Sequence, residues 1–266
     1  MTNPLLLKVK LPGRIFQLPS KGIFYEPGIL AESVKDAEVE VQPLSALAEM
    51  KLRSPDMLFS GRALREICRE CIPEILIPDR LISKDVDAIF CFLRIVTYGP
   101  SMSVKSTHDC RERNVHDYMV DVENIVMSAN NKILDHLDML YDMQLSNGQK
   151  IKLRPVRFQD AIDMIHLKQE IQNDINKNGS MEPILLENAV VRDLLAVIEA
   201  VEDVIDQTMI REWIKLLPRK IFTEIVDQSK KSNDWGFNLN VKLKCKDCEA
   251  EYYHNLELDP INFFSG

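Results

Sequence analysis

No stretch of the chain approaches the roughly 18 consecutive apolar residues that a spanning helix needs; the longest candidates are short runs such as Ala88 to Phe92. A membrane partner is therefore not expected. Glycine is scarce, nine in 266 residues, and nowhere forms a phosphate-cradling loop, while HExxH and GxSxG are missing altogether. Five scattered histidines make no grouping with carboxylates at useful spacing, so an acid–base pair would have to be assembled by the fold alone. The sequence points to no enzyme. Positive charge is in deficit as well: 33 basic against 41 acidic side chains leave a formal charge of −8. Such a surface repels phosphate backbones and anionic lipid unless a local basic patch overrides it. The first ten residues, with Leu5 to Leu7 in a row, lack a basic leader and a cleavage site. No signal peptide is expected, and the chain should stay in the cytosol where it is made.

What is present is ordinary globular material, 45% hydrophobic and 28% charged, in a length that suits one or two compact units. Val9 to Gln17 and Val39 to Val41 alternate as strands between turns at Pro12-Gly13, Pro19 to Gly22 and Pro27-Gly28. The period then changes. Leu44, Leu47, Ala48 and Met50 begin an amphipathic helix, Ala63 to Ile72 continues in helical rhythm, and Val86 to Val96 forms another helix with Ser83 and Asp85 available as caps. Tyr118, Val120 and Val122 alternate after a turn at Cys110 to Asn114. In the second half a turn at Leu145 to Gly148 precedes a strand at Ile151 to Pro155 and a helix at Phe158 to Gln172. Asn173 to Met181 reads as a loop. Val190 to Ile205 carries one apolar stripe with Glu199, Glu202, Asp203 and Asp206 opposite, the pattern of a core helix with a solvated acidic face. Met209 to Leu217 and Ile221 to Val226 are helical. Trp235 opens a last β segment running to Phe264.

The order of events repeats. A shift of 138 carries Cys110 onto Cys248, His116 onto His254 and Asp121 onto Asp259, and a shift of 112 carries Val39, Val41 and Pro43 onto Ile151, Leu153 and Pro155. The simplest reading is an α+β protein of two similar halves, residues 1–130 and 131–266. Each would be a β-hairpin, helices, then a zinc-ribbon-like β-hairpin.

In a reducing cytosol six cysteines are buried thiols or metal ligands rather than disulfides. Cys68 and Cys71 sit in helical rhythm and read as core, as does Cys91. Cys245-Lys-Asp-Cys248 lies between two strand-like segments, the layout of a zinc knuckle, whose turn presents both sulfurs to one point. A knuckle needs two more ligands. The 138-residue shift points to the other hairpin, where Thr107 answers to Cys245 with His108 beside it. A mixed zinc site of His108, Cys110, Cys245 and Cys248 follows; the alternative is a hairpin pair that keeps its shape without metal, with His116 and His254 as strand residues. Lys150, Lys152 and Arg154, with Lys242 and Lys244, would be the binding face if the chain were instead a zinc-ribbon-like nucleic-acid-binding or regulatory protein. Otherwise they form the solvated face of a hairpin.

The order of Leu18-Pro-Ser-Lys-Gly22, Val39-Glu-Val-Gln-Pro43, Ser60-Gly61, Asp85 to Arg94 and Tyr98-Gly99 resembles the T4-type baseplate hub assembly proteins of contractile-tailed bacteriophages, the baseplate hub assembly chaperone family. The Cys110 hairpin, Cys245-x-x-Cys248 and Asp259 to Phe264 extend the likeness over most of the chain. The resemblance implies a non-enzymatic protein, chaperone or hub component, whose partners are phage baseplate hub and tail proteins. It implies residence in the host cytoplasm during assembly and a place in the virion tail. The chain departs from the commoner pattern in its first hairpin, where Thr107 or Arg113 stands in place of a cysteine. An assembly protein works through exposed apolar groups, and Tyr252, Tyr253, Phe263 and Phe264 are the candidates for partner binding, unless the terminal pair docks on the chain's own core.

Overall fold

The computed structural model describes residues 12–129, 141–178, 183–256, 258 and 263. Phe16, Val39 and Val41 turn inward from two short antiparallel strands, β1 (Arg14–Gln17) and β2 (Glu38–Val41), in which Phe16 faces Val39. Period-two alternation makes one face of this ribbon apolar. Part of the first expected strand, from Val9, lies outside the described residues. The turn after β1 depends on Gly22 at φ +72°, where an added Cβ would also come within 3.3 Å of the Ala37 methyl.

Four helices follow. Ser45 caps α1 (Ala46–Leu52) by accepting from the Ala48 N–H, and this start sets the helical phase: Ala48 and Leu52 are buried, whereas Leu47 and Met50, expected inward, are exposed. After α2 (Pro55–Phe59), α3 (Arg62–Cys71) buries Ala63, Leu64, Ile67, Cys68 and Cys71. Burial pushes the Cys68 thiol up to about 12 and Cys71 to about 11, so both remain protonated core thiols, as their spacing predicts. The sixteen-residue α4 (Ser83–Tyr98) runs through the first core; Phe92 stacks on Phe16 with centroids 4.3 Å apart, and Gly99 at φ +89° ends the helix.

Neither expected cap of α4 serves as one. Ile82 holds the cap position without a side-chain bond. Asp85 is instead fully buried, accepting from Ser20 N (2.9 Å), Ser20 Oγ (2.5 Å) and Tyr25 Oη (2.6 Å), while Ser20 Oγ also accepts from Gly22 N and Tyr25 Oη from Ile82 N. One carboxylate thereby ties the turn after β1 to the central helix.

The remaining elements are β3 (Ser101–Thr107), β4 (Val115–Asp121), α5 (Val122–Met127), β5 (Asp142–Gln144), β6 (Lys150–Leu153), α6 (Phe158–Asn178), α7 (Pro183–Val197), β7 (Ile198–Val201), α8 (Gln207–Lys215), α9 (Arg219–Ser232), β8 (Asn240–Lys244) and β9 (Glu251–Asn255). Two expectations are corrected. Helix α6 continues through Asn173 to Asn178, where a loop is expected. The helix expected as far as Ile205 stops at Val197, and Ile198–Val201 joins β6 to complete a three-stranded antiparallel sheet, β5-β6-β7. Ile198 and Val201 face the core there, and main-chain bonds from Arg154 N to Val197 O and from Glu202 N to Lys150 O close the edge. Four apolar-rich residues satisfy either period, so pairing with a waiting strand decides.

The chain is thus α+β, with small separate sheets and, among the described residues, three larger buried clusters and a small fourth of Ile82 and Trp235. The first, around Phe16, Ile67 and Phe92, also receives Phe158 and Ile162 from α6 and Phe263 from the far end of the chain. The second, around Leu153, Leu194 and Ile210, receives Phe24 from the first half. Among the described residues no helix is long and apolar enough to cross a membrane.

Burial drives the Asp85 carboxyl up from 3.8 to about 6 against the pull of its three donors, and its neighbour Asp87 moves the same way for the same reason. A carboxyl raised on folding adds stability below its ordinary pKa and loses it as pH rises through the folded value. Thermal unfolding should show stability falling between about pH 4 and pH 6, with a shallower fall in Asp85→Asn. Asp85→Ala should cost about 2–4 kcal/mol by orphaning the Ser20 and Tyr25 donors; a cost under about 0.5 kcal/mol would refute this role.

Candidate metal centre

Two hairpins distant in sequence lie face to face. Strands β3 and β4 pair over seven residues, with Val104 opposite Tyr118, and β8 pairs with β9, with Leu243 opposite Tyr252. Val104, Val120, Leu243 and Leu256 form the apolar layer between them. A two-stranded ribbon is marginal in water, and each supplies the surface that the other covers.

Polar contacts fix their register. Buried Ser106 on β3 accepts from Tyr252 Oη at 2.9 Å and lies 3.0 Å from His254 Nδ1 on β9. The His108 ring lies 4.8 Å from that of Tyr252, and Tyr118 meets Tyr252 edge-on at 6.4 Å. The knuckle divides its four residues between two tasks. Lys246 and Asp247 reach back to β4: Lys246 Nζ donates to Asp117 O (2.7 Å) above the Tyr118 ring, and Asp247 Oδ2 lies 2.8 Å from His116 Nε2. The flanking Cys245 and Cys248 turn toward the loop after β3.

There the ligand atoms of His108, Cys110, Cys245 and Cys248 all lie within 4.8 Å of one another. Cys248 Sγ is 3.3 Å from His108 Nδ1. Backbone N–H groups of Cys248 and Asp247 pull the Cys245 thiol down to about 7, while Cys248 is displaced upward: burial and the adjacent Cys245 and Cys110 thiols outweigh the pull of the Ala250 N–H. Thiols crowded this closely cannot all ionise without a cation among them. Three sulfurs and one imidazole are the donor types that Zn²⁺ prefers, and at a Zn–S distance of about 2.3 Å tetrahedral ligands stand about 3.8 Å apart. The residues present can hold one metal ion.

A family model described as T4 bacteriophage base plate protein matches residues 36–265. The chain belongs to this base plate family. Neither a search of curated proteins nor one of solved structures returned a match. Membership makes it a phage baseplate protein, a component whose neighbours are other baseplate and tail proteins.

In this base plate protein the four residues expected to meet do meet. Thr107, which the shift set against Cys245, is exposed at the end of β3, and Arg113 pairs with Asp109. His116 and His254 are strand residues, as the metal-free alternative expects, and the structure adds their roles. Reasoning from sequence passed over Ser106, Lys246 and Asp247, residue types too common to stand out; the signal available was only that both inner knuckle residues are charged. The aromatic candidates separate. Phe263 is 2% exposed, docked in the first core rather than presented to a partner, and Tyr252 is enclosed between the hairpins. Tyr253 is 72% exposed, and Phe264 lies outside the described residues. Of the basic residues, Lys152, Arg154, Lys242 and Lys244 pair with Glu199, Asp160, Glu251 and Glu249.

Ser106→Ala should strip Tyr252 and His254 of a buried partner at a cost of about 1–3 kcal/mol. Denaturant titration of the variant against Ser103→Ala, an exposed position on the same strand, measures it; equal stability of the two would discount the contact.

Proposed function

We propose that this baseplate protein works without catalysis as an assembly factor or component of the baseplate hub, with one zinc ion joining its two Cys-bearing hairpins. The convergence of His108, Cys110, Cys245 and Cys248 from loops some 135 residues apart carries the metal part of the reading. The hub role is supported by the likeness of the short motifs, several of which hold the fold: Ser20 of the Leu18–Gly22 turn binds Asp85 of the Asp85–Arg94 stretch. In this reading the chain acts in the host cytoplasm during assembly and enters the tail with its partners, to which Tyr253 is a contact.

Duplication belongs to the same proposal, with halves near 1–130 and 131–266. A shift of 112 carries all of β2 onto β6, with the same alternation of exposed and buried residues, and a shift of 138 lays Cys110 on Cys248, both in the metal cluster. The nucleic-acid alternative has weaker footing, because four of the five basic residues that would carry it, Lys152, Arg154, Lys242 and Lys244, are paired with carboxylates.

Affinity purification from infected cells should recover hub proteins; recovery of nucleic-acid enzymes instead would overturn the assembly role. Purified protein should carry about one zinc per chain by mass spectrometry of the metal, lost in Cys245→Ser with Cys248→Ser and kept in Cys68→Ser. Zinc at 100 times its dissociation constant should add about 2.7 kcal/mol to unfolding stability. Equal zinc in all three proteins, or none in any, would remove the clasp.

A further inference from the structure

Away from the hairpins, arginines gather where positive charge is otherwise scarce. A cleft of about 500 Å³ opens between the start of α6, the end of α7 and the first turns of α8, and four arginines, 154, 157, 192 and 211, line it against two carboxylates, Asp160 and Glu199. Their pairing is uneven. Arg154 is spent on Asp160 through two bonds and on Leu195 O, Arg192 pairs with Asp163, and Glu199 is engaged by Lys152. Among the described residues, Arg157 and Arg211 close no side-chain hydrogen bond or ion pair. Arg157, exposed at the cleft, is pulled down by partial desolvation and by the charge of Arg154, and Asp160 and Glu199 oppose this only in part. A second cleft of about 350 Å³ shares Arg154, Arg157 and Glu199 with the first and adds apolar walls from Phe24, Leu153 and Pro155, together with Lys152, Asp142 and Glu26, the last paired with Arg80. On the first cleft's rim, Ile205 is 73% exposed.

We propose that this double cleft receives an acidic, apolar-flanked segment of a partner protein, with Arg157 and Arg211 taking its carboxylates. Guanidinium forks match carboxylates bidentately, and the apolar walls and Ile205 offer contact to the residues between them. A nucleic-acid strand fits less well, since beyond the cleft a chain of net charge −8 repels a continuous phosphate backbone. That the partner is a baseplate protein rests on the function proposed above; the chemistry of the cleft does not.

The test uses the full chain and fluorescence anisotropy, with a labelled ten-residue peptide carrying two glutamates flanked by leucines. The same peptide with glutamine for glutamate, inorganic phosphate and a single-stranded oligodeoxynucleotide serve as comparisons. The acidic peptide should bind at least about ten-fold more tightly than its glutamine counterpart to the unaltered protein. Arg157→Gln with Arg211→Gln should remove that preference with the thermal transition unchanged, and Lys220→Gln, an exposed lysine on α9, should keep it. Equal binding of the two peptides, unchanged binding by the double variant, full displacement by millimolar phosphate, or tighter binding of the oligodeoxynucleotide would each overturn the proposal. The peptide comparison on the unaltered protein decides even if the double variant does not fold. Failure of the peptide with hub proteins still recovered from cells would sink the cleft alone; binding without their recovery would sink the assembly role alone.

Discussion

Two-stranded ribbons do not hold themselves up, and the strands of this chain are gathered mostly into them. Among the described residues three of the four sheets have only two strands, so each must bury its apolar face against something else. For β3-β4 and β8-β9 that something is the other hairpin. The contact layer is thin, with four fully buried residues, and an interface of that size gains little from area alone. Polar contacts therefore supply the specificity: the hydrogen bonds of Ser106 with Tyr252 and His254, and the close approach of Asp247 to His116. The alternation within the knuckle makes this possible, because inner residues that reach across to β4 leave the outer two free to face His108 and Cys110.

Other joints follow the same logic of a single polar group serving several partners. Tyr141 Oη donates to Ser232 O and accepts from Trp235 Nε1, while Phe24 packs on both rings. Lys84 Nζ donates to the carbonyls of Asn233 and Trp235 beneath a cation–π contact with Trp235. The segment leading into β8 is thus moored to α4 and to Tyr141 just before β5. Together with Asp85 and Ser20, these joints hold loops whose own backbone pairing is sparse.

Periodicity carried much of this architecture on the surface of the sequence. The buried face of α4 and the strand after Cys110 were legible because their apolar residues recur at one period, and the turn at Leu145–Gly148 because Asn-Gly suits it, although the alternation read through Val122 ends at Asp121, before α5 begins. Ile198–Val201 was not legible, since a four-residue strand following directly on a helix continues the same stripe, and only β6 distinguishes the two. Asp85 was misread for a related reason: an acidic residue in a first helical turn resembles a cap, and nothing local announces that Ser20 and Tyr25 will enclose it. The metal cluster was legible through comparison of the two halves, which placed Cys110 beside a knuckle that lacks ligands of its own. The charged residues that orient that knuckle had no such counterpart.

The distribution of charge separates what maintains this protein from what it presents. Lys152, Arg154, Lys242 and Lys244 each face a carboxylate within 4 Å, an arrangement that quiets long-range fields and leaves little to attract a partner. Arg157 and Arg211 stand outside it. Both line the same cleft as Arg154 with no carboxylate bonded to them, in a chain that has carboxylates to spare, 41 against 33 basic groups. In the proposed docking a partner's carboxylate supplies the counter-charge that the chain does not bond to these two groups. The charged groups of the hairpins are thus largely satisfied within the chain, whereas on the proposed reading Arg157 and Arg211 wait for a partner's carboxylates.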